Sequence, residues 1–151
     1  MTPVRTPLLR LAQRGVAAIE FALVMLVLLL ALYAVATFGA ALYTQQAVAR
    51  AAGEGARALH ARTAMATDDV RNLVWDSLAE SLVTPVAHAS FADRRLWIAA
   101  QVTVEVSGPP GATTVTVSYP YRVNRLLPSL PLLDGSRWMP DLLQGRATAR
   151  P

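Results

Sequence analysis

An α+β fold carried on a long N-terminal membrane helix is the architecture that this sequence predicts, and three observations predict it. From Phe21 to Ala49 the chain holds no charged residue. Between Thr67 and Val83 apolar side chains recur at spacings of three and four, the signature of one helix face. From Val102 to Arg122 the period changes to two, as it does along a half-buried strand. A chain of 151 residues favours one folded unit beyond the helix over several.

Taken in order, residues 1–15 read as a basic leader. Arg5, Arg10 and Arg14 precede the apolar run with no acid before Glu20, and Pro3 and Pro7 argue for an unstructured leader. Cations at one end of a span mark its cytoplasmic side, so the N-terminus is expected in the cytoplasm. Residues 16–43 are the transmembrane helix, since about 20 apolar residues cross a hydrocarbon layer of roughly 30 Å. Residues 44–62 are rich in alanine, the best helix former, and are expected to continue the helix into the periplasm.

Residues 63–151 are expected to form a small periplasmic α+β domain. Thr67-Asp68-Asp69 reads as a helix start, with a capping hydroxyl and acids near the positive end of the dipole. Val70, Leu73, Val74, Leu78 and Leu82 then make one apolar face, broken once by Ser77, and Pro85 ends the helix. Val102, Val104 and Val106 alternate with polar residues, as do Val115, Val117, Tyr119 and Tyr121. The turn cluster from Ser107 to Gly111 between them gives an antiparallel hairpin. Pro120 lacks an amide donor, which places the second run at a sheet edge there. A short strand near Gly145–Ala149 follows a Pro-rich loop. The hairpin is expected to pack on the helix around 68–83, because a lone hairpin is marginal in water.

Composition excludes several functions. The net charge is +4, yet from residue 16 onward eleven arginines face ten acids, so the basic excess belongs mostly to the leader. A nucleic-acid partner needs clustered cations on the folded part, and none is expected. There is no cysteine, and His60 and His88 are the only histidines, too few for the three or four protein ligands of a zinc site. No nucleophile elbow or phosphate-binding loop is present. No cofactor, metal, small-molecule substrate or catalysis is expected, and Trp75, Trp97 and Trp138 are expected to serve packing.

The informative string is Arg14-Gly15-Val16-Ala17-Ala18-Ile19-Glu20-Phe21. An ionisable side chain just inside a span is costly and marks function, although Glu20 could also snorkel to the headgroups. Gly15 supplies backbone freedom suited to an extended cleavage site. Cutting after Gly15 would make Val16 the new N-terminus and Glu20 the fifth mature residue. A free α-amine has a pKa near about 8, so it is a cation at neutral pH. That amine on one subunit can pair with Glu20 of the next, each charge offsetting the burial cost of the other.

This string resembles the processing site of type IV pilin-like proteins, which a membrane prepilin peptidase cuts after Gly with Glu five residues on. It is closest to the TadE-like proteins of tight-adherence (Flp) pilus systems, whose span opens with R-G-x-x-x-x-E-F. A second motif follows the span: Ala51-Ala52-Gly53-Glu54-Gly55-Ala56-Arg57 is similar to the family's A-A-R-E-G-A-R, with Gly53 in place of the first Arg. The strand Val115–Arg122 resembles the family's C-terminal part. Met25 stands near where the family often has Pro, and Phe21 where processed members often have Tyr. The resemblance implies a minor pseudopilin of the bacterial inner membrane. Its implied partners are membrane lipid, sister pseudopilins, Tad assembly platform proteins and, for processing, prepilin peptidase. It leaves incorporation into a pilus open.

Ala36, Ala40, Thr44, Val48, Ala52 and Ala56 fall at steps of four. They read either as an interface for a sister subunit or platform protein, where small residues let helices approach in lipid, or as a consequence of alanine-rich composition. Glu54 has two candidate partners: Arg57 across a subunit boundary, or Arg50 one turn back on the same helix. A rival to the pseudopilin is an exported protein with a cleaved signal peptide and an unrelated binding role. Ala34-Val35-Ala36 offers the A-x-A site, after which Thr37 would begin the mature chain.

Overall fold

The structure, a computed structural model, describes residues 8–61, 66–81, 83–84, 90–109, 112–127 and 139–149. Expectations that fall on Leu82, Pro85, His88, Pro110, Gly111 and Trp138 lie outside these residues. The elements are α1 (Leu8–Ala61), α2 (Thr67–Glu80), α3 (Phe91–Gln101), β1 (Thr103–Ser107), β2 (Thr114–Tyr119) and β3 (Leu143–Thr148). The chain divides into two compact units, Met1–Phe38 and Gly39–Pro151.

The first unit is helical from Leu8, which corrects the expectation of an unstructured leader through Arg14. Residues 8–14 lie past the last proline of the leader and consist of Leu, Arg, Ala and Gln, all strong helix formers. From Val16 to Leu32 the large aliphatic side chains are exposed on every face of the helix, a distribution that calls for apolar surroundings on all sides. α1 is long and apolar enough to cross a membrane. Thr37 hides its hydroxyl by donating to the Tyr33 carbonyl one turn back, at 2.7 Å, so it leaves no free donor in that setting.

The second unit joins residues 39–61 of α1 to α2, α3 and an antiparallel sheet in the order β1-β2-β3. Val104 lies opposite Val117 and Val106 opposite Val115, the hairpin that the alternation predicts. β3 pairs on the other side of β2, with Gly145 opposite Val117. It begins at Leu143, two residues earlier than expected, and it makes β2 the central strand. Pro120 therefore does not mark a sheet edge. It follows Tyr119, where β2 stops, because a proline cannot continue a strand that donates to a neighbour.

The core holds Val48, Ala51 and Ala52 of α1, Val70, Val74 and Leu78 of α2, Ile98 of α3, and Val115, Val117 and Tyr119 of β2. Two glycines bring the layers together. A Cβ on Gly145 would stand 2.5 Å from the Val48 carbonyl oxygen and 2.8 Å from the Ala49 Cα, so β3 crosses α1 backbone against backbone. A Cβ on Gly55 would stand 2.9 Å from Val74 Cγ2 and 3.3 Å from Val115 Cγ1, so Gly55 sits where α1, α2 and β2 converge. The sheet thus packs on α1 as well as on α2, the one partner expected for it.

Two helix starts differ from expectation. The N-cap of α2 is Ala66, with no side-chain cap, and Thr67 is already inside the helix. Asp68 and Asp69 do occupy the first turn, and Arg71 bonds Asp68 at 2.9 Å. α3 was not expected at all. It is announced by Ser90, whose Oγ accepts from the Asp93 amide at 3.1 Å and donates to Asp93 Oδ2 at 2.6 Å, an N-cap hydroxyl held in place by the acid of the first turn.

Candidate functional site

The two motifs at the ends of the apolar run sit in physically different places. Gly15, Val16, Glu20 and Phe21 all lie on the exposed surface of α1, Val16 being 66% and Phe21 63% exposed. Val16 and Glu20 stand four apart, so they share one helix face. The segment is helical through Gly15, because the alanines that follow it sustain the helix. A Cβ on Gly15 would meet nothing within 4 Å, so packing within this chain does not require glycine there. Among the described residues no ion pair includes Glu20.

The second motif is internal. Ala51 and Ala52 are fully buried, Gly55 and Ala56 buried, Gly53 and Glu54 half-buried, and only Arg57 is exposed. Its small residues are explained by close packing on α2 and the sheet. The same holds for the stripe of small residues. Thr44, Val48, Ala52 and Ala56 are buried within the unit, Ala40 is half-buried, and Ala36 is exposed. From Thr44 onward the stripe is therefore occupied by this chain's own sheet and helices, so of its two readings the sister-subunit interface does not hold there.

Glu54 pairs with Arg50 at 3.0 Å, one helical turn back, and not with Arg57. Its carboxyl also accepts from the Ser77 hydroxyl, and this bond is the largest influence holding its pKa below the ordinary value; burial opposes the shift, and Arg50 and Arg57 assist it. Ser77 is the residue that interrupts the apolar face of α2, and the interruption is explained by its partner on α1. The sequence carried that signal, a lone hydroxyl in an apolar stripe, without revealing the partner.

Further polar contacts fasten the helices and the sheet of this unit to one another. Tyr43 donates to the Ser81 carbonyl at the end of α2, and Gln45 Nε2 donates to the Gln144 carbonyl at 2.8 Å. Tyr119 donates to the Val83 carbonyl at 2.8 Å, while its ring lies 6.2 Å from that of Trp97. Trp75 and Trp97 pack against the core, as expected. Among the described residues no group of three His, Asp or Glu is placed to hold a metal ion.

Fold and site together define a chain with one N-terminal helix fit to cross a membrane and a small α+β unit built on that helix's C-terminal part. The model of the TadE-like protein family matches residues 15–57, from the glycine of the first motif to the last arginine of the second. No curated protein and no solved structure matches the chain.

Proposed function

We propose that this chain is a membrane-anchored minor pseudopilin of the TadE-like type, an assembly protein and not an enzyme, acting in Tad/Flp pilus biogenesis and secretion. The observation that carries the reading is the placement of Glu20. It stands exposed at the start of a stretch of α1, Val16 to Leu32, that is otherwise apolar on all faces, five residues beyond a glycine that nothing inside the chain requires. A residue held at a cost without an internal reason points to an external partner.

In this reading the leader, residues 1–15, faces the cytoplasm, residues 16–43 span the inner membrane and residues 44–151 stand in the periplasm. Prepilin peptidase cuts after Gly15, for which the helix must open locally at the glycine, the residue that gives up helical structure most readily after proline. The new amine of Val16 then neutralises Glu20 of a sister pseudopilin, and the two charges enter the lipid as a pair. Buried charges are tolerated when paired and costly when one partner is removed.

N-terminal sequencing of the protein made together with a prepilin peptidase tests the reading. Val16 is the expected first residue. Met1 would remove the processing step, and Thr37 would support the exported-protein alternative. The alternative has one structural point in its favour. A cut after Ala36 spares every core residue, since the core begins beyond it, so an intact fold does not separate the two and the chemical identity of the N-terminus does.

A further inference from the structure

We propose that the end of the α+β unit nearest Tyr43 is a membrane-seating surface, with Val123 and Leu142 dipping into the lipid headgroup layer on either side of Arg122. The proposal rests on the reading of residues 16–43 as a membrane span. It commits to a bilayer surface as the occupant.

Three contacts along α1 fix which end of the sheet this is. Gln45 meets Gln144, Val48 meets Gly145, and Gly55 meets Val115, which pairs with Ala147. The sheet therefore climbs in step with α1, and residues 119–123 and 141–143 lie at the level of residue 45 or below it. The other elements agree. Tyr43 donates to Ser81 at the end of α2, Tyr119 reaches Val83, and Asn124 meets Gln101 at the end of α3.

The surface at this end is apolar where nothing internal requires it. Val123 is 80% exposed and Leu142 45%. The Arg122 amide donates to the Asp141 carbonyl at 3.1 Å, and the Arg122 guanidinium approaches Asp141 at 3.3 Å. That places the two apolar residues on either side of one ion pair, whose members are both largely exposed. Arg122 has the reach to bond phosphates while its stem lies among acyl chains. Tyr43, half-exposed at the same level, is of the residue type that gathers at membrane interfaces. The patch thus lies at the level where the apolar run ends. The opposite end of the sheet, around Ser107, Gly108 and Ala112, is exposed and carries no large apolar side chain among the described residues.

The chain contains no cysteine, so single labels can be placed without background. Full-length protein in vesicles of phosphatidylethanolamine and phosphatidylglycerol would carry an environment-sensitive fluorophore at Val123→Cys, Leu142→Cys, Ala112→Cys or Val27→Cys. All four native side chains are exposed, so the core is left intact. Lipids with a nitroxide at the interface should quench the labels at 123 and 142 at least about twofold more than the label at 112, as for side chains seated roughly 5–10 Å deep. Quenching at 27 by deep nitroxides with none above the level of 112 at 123 and 142 would overturn the seating and leave the span intact. No quenching at 27 would overturn the span itself. Labels at 123 and 142 that are shielded from aqueous iodide yet untouched by nitroxide lipid would mean that a protein covers the patch, which also overturns the proposal.

Discussion

The Ser77 hydroxyl of α2 donates to the Glu54 carboxylate of α1, and this bond outweighs burial in holding the carboxyl below its ordinary pKa of 4.5. The link ties the second motif of α1 to the single polar break in the apolar face of α2. A carboxyl with a lowered folded pKa binds protons less readily than in the unfolded chain. The stability it contributes is present above pH 4.5 and is lost as pH falls through the folded value. Ser77→Ala should cost about 1 kcal/mol near pH 7, and the gap to the natural protein should close as the pH drops below 4.5. Urea unfolding of the full chain in detergent, followed by near-ultraviolet dichroism of the tryptophans, measures this. A gap that stays constant with pH would count against the bond.

Glycine substitutions should separate by position. Gly145→Ala drives a methyl into the Val48 backbone, which cannot step aside. It should destabilise by about 1–3 kcal/mol, as overpacking does. Gly55→Ala meets first a valine methyl, which can shift, so its cost should be smaller. Gly53→Ala meets nothing within 4 Å on a helical residue and should stabilise by up to about 1 kcal/mol. Thermal unfolding of the three variants gives the order directly, and a neutral Gly145→Ala would contradict the backbone contact between β3 and α1.

What could be read from the sequence followed from periodicity, and what was missed lacked it. The apolar run of α1, the stripe of α2 and the two alternating strands each repeat a pattern that burial imposes. α3 has no such stripe. Ile98 is its one fully buried side chain, and it docks on α2 through polar groups. Arg94 Nε donates to the Ala79 carbonyl at 3.0 Å, and Arg95 meets Asp76 at 2.5 Å and Asn72 at 3.0 Å. The one local signal of α3 is the Ser90–Asp93 cap, which no apolar stripe follows. The central place of β2 was hidden for a related reason. Thr116 reads as outward-facing, yet it is buried along with its valine neighbours. The second motif was legible as a family mark, but its work in packing depends on Val70, Val74 and Val115, which lie far away in sequence.

Tyr119 should resist ionisation. Burial, with Tyr121 beside it, raises its phenol pKa well above the ordinary value of 10, because the charged form has no solvent. A raised pKa on this acid means that its share of stability is fully present below pH 10 and fades as the pH climbs through the folded value. Spectrophotometric titration of the folded chain should show a phenol that resists ionisation well above pH 10, and Tyr119→Phe should abolish that late step. The same variant leaves the Val83 carbonyl without its 2.8 Å donor and should cost about 1–3 kcal/mol.

Glu20 permits the sharpest separation of insertion, processing and assembly. Its side chain is exposed on α1 and is not part of the packed unit, so Glu20→Ala and Glu20→Gln should leave both the fold and membrane insertion unchanged. Both remove the negative charge, and Gln also keeps the shape. If the carboxylate serves to neutralise the amine of a neighbour's Val16, the two variants should fail alike, each leaving an uncompensated cation at a cost of about 3–5 kcal/mol per contact. Such a loss weakens association by roughly a hundredfold to a few thousandfold, at about 1.4 kcal/mol per tenfold. Carbonate-resistant membrane association together with loss of piliation is the expected pair of results. Rescue by Gln would assign the requirement to side-chain shape. Normal piliation with Ala would show that no partner depends on the carboxylate.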